Sequence, residues 1–224
     1  MKRRRNLLVG AGVLSVALWA LPGFGFITLP LVYLNTLIHE MCHAIAATAT
    51  GGDVRFVQVF ASGSGVTLSQ GGSGLLLASA GYVGASLVGG LMIACSVRPQ
   101  GAKVTLQVVG AVLAVGLALW LRGDRVGFVA SVLWIGALLV AGSKLEGDNV
   151  VFAAQFLGMQ QCLTSVLALY VLLQINTGSG IHNDAALAAQ MTGLPAFLWA
   201  VLWCGLSLLG MWAALRSALR EGAE

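Results

Sequence analysis

Long runs of apolar residues, separated by short polar links, constrain the fold of this chain more than any other feature. An apolar run of about 20 residues is long enough to cross a bilayer as a helix. Only 9% of the 224 residues are charged, whereas a soluble domain carries about 25%. We therefore predict an all-α polytopic membrane protein with about six to seven transmembrane helices. The predicted spans are 6–24, 26–50, 75–97, 104–121, 126–142, 150–173 and 196–215.

A basic cluster begins the chain and accounts for much of its net charge of +4. Its members are Lys2, Arg3, Arg4 and Arg5. Because Lys and Arg accumulate in cytoplasmic segments, we predict an uncleaved anchor helix with a cytoplasmic N-terminus. With seven alternating spans, the link at 122–125 then lies inside and those at 98–103 and 144–149 lie outside. No other basic face is present, which argues against nucleic-acid binding.

The segment 53–74 differs in character from the apolar spans around it. Its first half contains the β-favouring residues Val54, Phe56, Val57 and Val59, and its second half is rich in Gly, Ser and Thr. Two short extended runs separated by glycines are typical of a hairpin. We predict a small juxtamembrane β-hairpin here, and a flexible glycine loop is the alternative.

Two of the predicted spans carry residues that lipid does not favour. The span 75–97 contains Gly81, Gly84, Gly89 and Gly90, and small residues allow two transmembrane helices to approach closely. The span 150–173 contains Gln155, Gln160, Gln161 and Thr164, which must face protein or a cavity. We therefore predict that both spans lie inside the helix bundle.

The motif His39-Glu40-Met41-Cys42-His43 places two of the three histidines in one apolar span. Residues i and i+4 share one face of a helix, so His39 and His43 can bind one metal ion together. Glu40 lies about 100° round the helix, where it can reach a metal-bound water but is poorly placed as a ligand. Without a metal or another partner, burying three such side chains in the membrane costs several kcal/mol. The motif therefore predicts a metal centre.

A third ligand must come from a distant part of the chain, because a catalytic zinc ion usually takes three protein ligands. The spacing leaves Asp184, Asp148 and His182 as candidates. Asp184 is favoured because it opens a short helical run between helix-breaking segments. A role as helix N-cap is the alternative for this aspartate.

Four segments of the chain resemble one known family. They are His39–Ala44 with the following Thr50-Gly51-Gly52, then Ala80-Gly81-Tyr82, then Asn183–Ala188, and finally residues 192–196 with Trp199 and Trp203. Together they resemble the site-2 protease-like family of membrane zinc metallopeptidases, and most closely its bacterial branch without a PDZ domain. The resemblance implies Zn²⁺ as cofactor, with His39, His43 and Asp184 as ligands and Glu40 as the catalytic acid/base.

The activity implied by this resemblance is intramembrane proteolysis. Such a zinc metalloendopeptidase hydrolyses peptide bonds within or near transmembrane segments of membrane proteins, as in regulated intramembrane proteolysis. Its partners are then a transmembrane protein substrate and the lipid bilayer, and its location is the bacterial cell membrane. Because water must reach the metal, we expect a polar cavity between the second span, the polar stripe of the sixth and Asp184.

Two further groups of residues are candidates for substrate contact. Asn183 is positioned to hydrogen-bond a developing oxyanion, and a helix cap is its alternative role. The extended segment with Val54, Phe56 and Val57 is a candidate strand edge on which an unwound substrate would be held by β-addition.

We expect one membrane-embedded metallopeptidase domain over residues 1–224. Its predicted parts are an anchor helix at 1–25, a metal-binding helix at 26–50, a surface β segment at 53–74, and the third-ligand segment with the last helix at 184–215. The alternative functions are a catalytically inactive metal-binding protein that binds clients, and a metal transporter. A transporter usually needs several intramembrane ligands along a path, and an inactive protein would be expected to lack Glu40.

Overall fold

The computed structural model describes residues 2–20, 25–175 and 183–221. Within these ranges the chain forms eight helices and one two-stranded sheet. The helices are α1 (Lys2–Ala20), α2 (Gly25–Ala49), α3 (Gly74–Cys95), α4 (Pro99–Leu119), α5 (Arg125–Lys144), α6 (Gly147–Ile175), α7 (Asp184–Thr192) and α8 (Ala196–Glu221). The strands are β1 (Asp53–Val59) and β2 (Gly65–Gln70).

This architecture confirms the predicted all-α membrane fold with a small hairpin. Five helices in the described ranges are long and apolar enough to cross a membrane, namely α3, α4, α5, Gly147–Leu167 of α6 and Ala196–Arg220 of α8. Helices α1 and α2 have the length, but neither contains an 18-residue stretch that is sufficiently apolar and poor in charge. The first begins with the basic cluster, and the second carries the His39–His43 motif.

The hairpin forms between α2 and α3, where it was predicted. Its strands pair antiparallel, with Val57 opposite Thr67 and an irregularity between Val54 and Phe56. The other edge of β1 is also occupied. Val57 donates its N–H to the carbonyl of Trp120 at 2.8 Å and accepts the N–H of Arg122 at 2.9 Å. The open edge of this sheet therefore belongs to β2.

Helix α3 lies at the centre of the bundle, and its glycines allow this position. A side chain at Gly89 would lie 2.7 Å from the carbonyl oxygen of Gly158 in α6. A side chain at Gly84 would lie 2.7 Å from the sulfur of Cys42 in α2. The predicted close packing of this helix is confirmed, since both neighbours approach where a side chain is missing.

The polar stripe of α6 is buried inside the protein, as predicted. Its members Gln155, Gln160, Gln161 and Thr164 are all at most 6% exposed. Trp19 of α1 donates to Gln160 Oε1 at 2.8 Å, and Gln155 Nε2 donates to the carbonyl oxygen of Ser96, at the end of α3, at 3.4 Å. The stripe thus joins α6 to two neighbouring helices by hydrogen bonds that lipid could not supply.

The ends of the helices show that the predicted alternation of seven spans is wrong. Arg3 of α1 is ion-paired with Asp148 in the first turn of α6, so both helices begin at the same end of the bundle. Helix α2 ends beside the start of α3, where the N–H of Ser73 donates to Thr50 Oγ1 at 3.0 Å. Because α3 to α6 alternate in direction, α1 and α2 together cross the bundle only once.

The course of α2 explains this difference. The carbonyl of Pro30 accepts a hydrogen bond from Trp134 Nε1, in the middle of α5, at 2.7 Å. Helix α2 therefore runs obliquely, from a level halfway along α5 to the end where α3 begins. The links at 98–103 and 144–149, predicted outside, lie at the same end of the bundle as the N-terminus.

Candidate metal centre

Three potential metal ligands converge where α2 meets the start of α7. One turn of α2 separates His39 from His43, and their Nε2 atoms lie 3.0 Å apart. Asp184, the first residue of α7, places Oδ2 at 3.3 Å from His39 Nε2 and 3.2 Å from His43 Nε2. Tetrahedral zinc with ligand bonds of about 2.0–2.1 Å separates its ligand atoms by about 3.3 Å. The three residues therefore fit a zinc ion.

A backbone carbonyl of α3 fixes the orientation of His43. Its Nδ1 lies 2.7 Å from the carbonyl oxygen of Leu77, which only accepts hydrogen bonds. The hydrogen of a neutral imidazole is then on Nδ1, and the lone pair of Nε2 points to the other two ligand atoms. This is the arrangement by which proteins commonly orient metal-binding histidines.

Gly81 leaves the space that the two imidazoles occupy. A side chain at this position of α3 would overlap the Nε2 atoms of both His39 and His43. Gly81 follows Leu77 by one helical turn, so the same face of α3 orients one ligand and makes room for both. This face is therefore part of the structure that holds the metal centre.

His39 is held by a stack of aromatic side chains. Its ring contacts Tyr82 edge-on, with centroids 4.6 Å apart, and Tyr82 stacks on Trp203 of α8 at 5.9 Å. Trp203 is almost completely buried. The metal-binding face of α2 is thus packed through α3 onto the last helix.

The beginning of α7 sets the position of Asp184. Asn183 is the N-cap of this helix, and its side-chain oxygen accepts the N–H of Ala186 at 2.9 Å. Burial raises the pKa of the Asp184 carboxyl group, but its contacts with the His39 and His43 side chains lower the pKa more than burial raises it. The net result is a pKa below its ordinary range, which keeps this carboxylate in the ionised form that binds a metal.

Glu40 lies beside the three ligands but points toward the hairpin. Its Oε2 accepts a hydrogen bond from Thr67 Oγ1 of β2 at 2.7 Å. A side chain at Gly65 would lie 2.7 Å from Glu40 Oε1, so this glycine leaves room for the carboxylate. Glu40 is only 5% exposed. It is therefore held close to the metal centre without being a ligand.

A cleft of about 570 Å³ opens above these residues. Its floor is the His39–His43 turn of α2, and its walls come from β2, the start of α3, and α7. The side chains of Leu187, Gln190 and Met191 line the α7 wall, which faces β2 across the cleft. The cleft therefore brings the three potential ligands, Glu40 and β2 to one surface.

A model of the Peptidase M50B-like family matches residues 9–214 of the chain. The chain belongs to this family. The membership confirms the resemblance to site-2 protease-like metallopeptidases, and it supports a protein of the membrane metalloprotease type. M50B-like peptidases are generally zinc-dependent, which agrees with the His39, His43 and Asp184 cluster. No curated protein and no solved structure matches the chain.

The two other candidates for the third ligand of this M50B-like protein have different outcomes. Asp148 is ion-paired with Arg3 at the opposite end of the bundle, which removes it from the metal centre. His182 lies outside the described residues. Asp184 contacts the two histidines. The helix N-cap predicted as its alternative role is wrong, because Asn183 is the N-cap of α7 and Asp184 is its first residue.

The substrate strand predicted in the M50B-like chain requires a correction. Val57 already uses its N–H and C=O with residues 120–122, and its side chain is completely buried. Val54 is also buried, and Phe56 is half-buried opposite Leu68 of β2. An added strand cannot pair with β1 at Val57, because both edges there are occupied. The edge beside the cleft is that of β2.

The predicted cavity of the M50B-like chain is also placed differently. It was expected between α2, the polar stripe of α6 and Asp184. The cleft does contain α2 and Asp184, but its remaining walls are β2, α3 and α7. The stripe is instead buried in the bundle, where its hydrogen bonds join α6 to α1 and to the end of α3.

Several residues at this M50B-like site were missed or only partly recognised in the sequence. Thr67 and Leu77 were missed because each contacts a site residue that is distant in sequence. The hydroxyl of Thr67 donates to Glu40, and the carbonyl of Leu77 accepts from His43. A signal existed for Thr67, since Gly65, Thr67 and Ser69 alternate on one face of a strand. No comparable pattern marks the carbonyl of Leu77.

Proposed function

We propose that this protein is an intramembrane zinc endopeptidase that cuts a transmembrane segment of another protein. The observation that carries the proposal is the position of Glu40, held beside a cluster of three potential ligands at the floor of a cleft of about 570 Å³. A metal site without catalysis has no need of a buried carboxylate next to its ligands. Family membership supports the same reaction class.

His39, His43 and Asp184 would hold the zinc ion. When bound, zinc lowers the pKa of water and polarises a carbonyl group. Glu40 would take a proton as the water oxygen attacks the peptide carbon. It would then deliver that proton to the leaving nitrogen as the C–N bond breaks. Asn183 remains a candidate for hydrogen-bonding the oxyanion through its amide group.

The substrate would lie along the open edge of β2. In an antiparallel sheet, neighbouring residues point their backbone N–H and C=O groups to opposite sides. Because those of Val57 point toward residues 120–122, those of its partner Thr67 point away from β1. A locally unwound transmembrane segment can pair with this edge, between β2 and α7.

The test is cleavage by the purified protein in detergent, with a panel of transmembrane segments as substrates. We expect cleavage that a chelator abolishes and that zinc restores. Cleavage that survives complete metal removal would overturn the proposal. Metal binding without cleavage of any segment would instead favour a protein that binds clients.

A further inference from the structure

One residue of β2 contacts the proposed catalytic group without belonging to the ligand set. Thr67 is the hydrogen-bond donor to the Glu40 side chain among the described residues. Its hydroxyl oxygen is 2.7 Å from Glu40 Oε2 and 3.0 Å from the backbone carbonyl oxygen of the same residue. Both contacts join β2 to α2 across 27 positions of sequence.

The backbone polar groups of Thr67 point in a different direction from its side chain. Its N–H and C=O point to the open edge of β2, because Val57, directly opposite, bonds in the other direction. One residue therefore contacts Glu40 through its side chain and faces the cleft edge through its backbone. No other residue of β2 hydrogen-bonds the Glu40 side chain in the structure as described.

The space around Glu40 makes its position depend on β2. Gly65 lies on the same face of the strand as Thr67, and a side chain there would lie 2.7 Å from the carboxylate. The carboxylate is thus enclosed between α2 and β2. If β2 moved, the space around the Glu40 carboxylate and its hydrogen bond with Thr67 would both change.

We propose that Thr67 is a positioning residue that couples the pairing of a substrate strand with β2 to the orientation of Glu40. This inference rests on the proposed function. A peptide paired with the Thr67 backbone fixes β2, and the Thr67 hydroxyl then fixes the Glu40 carboxylate beside the scissile bond. Strand pairing outside this region would not orient the carboxylate.

The first test compares Thr67→Val with Thr67→Ser. Valine keeps the branched shape that suits a strand but has no hydroxyl, and serine keeps the hydroxyl. We expect Thr67→Val to lower kcat by about 10- to 100-fold, since a hydrogen bond to a charged group is lost. KM should stay within about twofold and zinc content unchanged, because Thr67 contacts no ligand. Thr67→Ser should restore most of kcat.

A matched control is Thr105→Val on α4, which makes the same substitution outside the cleft. It should leave kcat, KM and zinc content unchanged. Wild-type kcat in Thr67→Val would overturn the coupling while leaving the proposed function intact. An equal loss of kcat in Thr67→Ser would also contradict it, because the hydroxyl would then not be the determining group.

A second measurement separates this inference from the proposed function. The chain has only four glutamates, Glu40, Glu146, Glu221 and Glu224, so ¹³C-carboxyl labelling of Glu gives few NMR signals. Glu40→Gln identifies the Glu40 signal. We expect Thr67→Val, but not Thr105→Val, to shift this signal in the zinc-loaded protein. A shift in a protein that cuts no substrate would support the contact and reject the proteolytic function, whereas an unshifted signal would overturn the contact itself.

Discussion

At the scale of single residues, two glycines leave the space that the proposed zinc ligands and the proposed acid/base occupy. Gly81 makes room for the imidazoles, and Gly65 makes room for the Glu40 carboxylate. Their predicted effects differ, because one glycine lies against the metal ligands and the other against the acid/base. Alanine at each position therefore separates metal binding from proton transfer.

Gly81→Ala is expected to weaken zinc binding. The added methyl group overlaps both Nε2 atoms, so the histidines must move away from Asp184. We expect the zinc affinity to fall by about 10- to 100-fold, as when the support of a ligand is lost. Competition with a zinc chelator measures this. Gly136→Ala on α5, where nothing lies within 4 Å of the added group, is the control, and equal affinities in the two variants would contradict the account.

Gly65→Ala is expected to impair cleavage while zinc remains bound. The atoms nearest to the added methyl group, all at 2.7 Å, belong to Glu40 and Thr36 and not to any of the three ligands, so the Glu40 carboxylate must move. We expect kcat to fall by at least about tenfold, a part of what general acid–base catalysis contributes. Zinc analysis and steady-state kinetics on the same sample measure both quantities. Loss of zinc from this variant would show that the carboxylate is not separate from the ligand set.

Part of the candidate site could be predicted from the sequence. The spacing of His39, Glu40 and His43 already indicates two ligands and one adjacent acid, because helical geometry is local. Their supporting contacts are not local. The carbonyl of Leu77 and the space at Gly81 depend on how closely α3 approaches α2, which no spacing rule reports.

At the scale of secondary-structure elements, the start of α7 places Asp184 beside His39 and His43. Asn183 caps this helix through its side-chain oxygen, and an Asn-to-Ala change at such a cap costs about 0.5–2 kcal/mol of helix stability. We expect Asn183→Ala to reduce zinc affinity. Asn183→Ser keeps a capping oxygen, and it should retain the wild-type affinity in the same chelator competition.

These two variants also separate the capping role of Asn183 from its predicted contact with the oxyanion. Serine preserves the cap but lacks the amide group. A variant Asn183→Ser with normal zinc affinity and a strongly reduced kcat would indicate the oxyanion role. Normal values of both would leave capping as its function.

If the substrate pairs with the open edge of β2, we expect every second backbone amide of the substrate to contribute to binding. A paired strand directs every second amide to its neighbour, so N-methylation of alternate substrate amides removes a hydrogen bond. We expect KM to rise several-fold at alternate positions near the cut, by about 1 kcal/mol each. A scan of singly N-methylated peptides measures this. Effects without alternation would contradict pairing with β2.

The choice of β2 over β1 could not be made from the sequence. The β-favouring residues Val54, Phe56 and Val57 indicate a strand, and a strand is present. Their apolar character, however, reflects burial and not an open edge. The residues that cover β1 come from the link at 120–122, more than 60 positions away, and its pairing has no local signal.

At the scale of the whole molecule, the basic residues collect at one end of the bundle. Contacts of α1 with α6, and of α8 with Leu8 and Val97, place both chain ends there. The Lys and Arg residues at this end are Lys2, Arg3, Arg4, Arg5, Arg98, Lys103, Lys144, Arg216 and Arg220. The opposite end, with the hairpin, has Arg55, Arg122 and Arg125.

This distribution predicts the orientation of the protein. Because short cytoplasmic segments are enriched in Lys and Arg, we expect both chain ends in the cytoplasm and the hairpin end on the other side. Single cysteines for labelling with a membrane-impermeant reagent, placed at the exposed residues Gln100 and Gln70 of a cysteine-free variant, measure this in intact cells. Labelling at position 70 alone is the expected result, and labelling at position 100 alone would reverse the orientation.

The fold class could be predicted from the apolar runs, but the side of the membrane on which each link lies could not. Counting spans assumes that every long apolar helix crosses completely. Helix α2 is long, yet it runs obliquely because its motif and its N-terminal half pack against the hairpin, α3 and α5. Composition alone does not distinguish an oblique helix from a crossing one.

The proposal of a zinc endopeptidase with Glu40 as its acid/base is tested most directly by comparing the wild type with Glu40→Gln. Each protein is purified in detergent and assayed for zinc and for cleavage. We expect about one zinc per chain in both, since Glu40 is not a ligand. The wild type should cut a transmembrane substrate, and kcat in the variant should be lower by about 10²–10⁴-fold. Equal cleavage by the two proteins, or absence of zinc from both, would contradict the account.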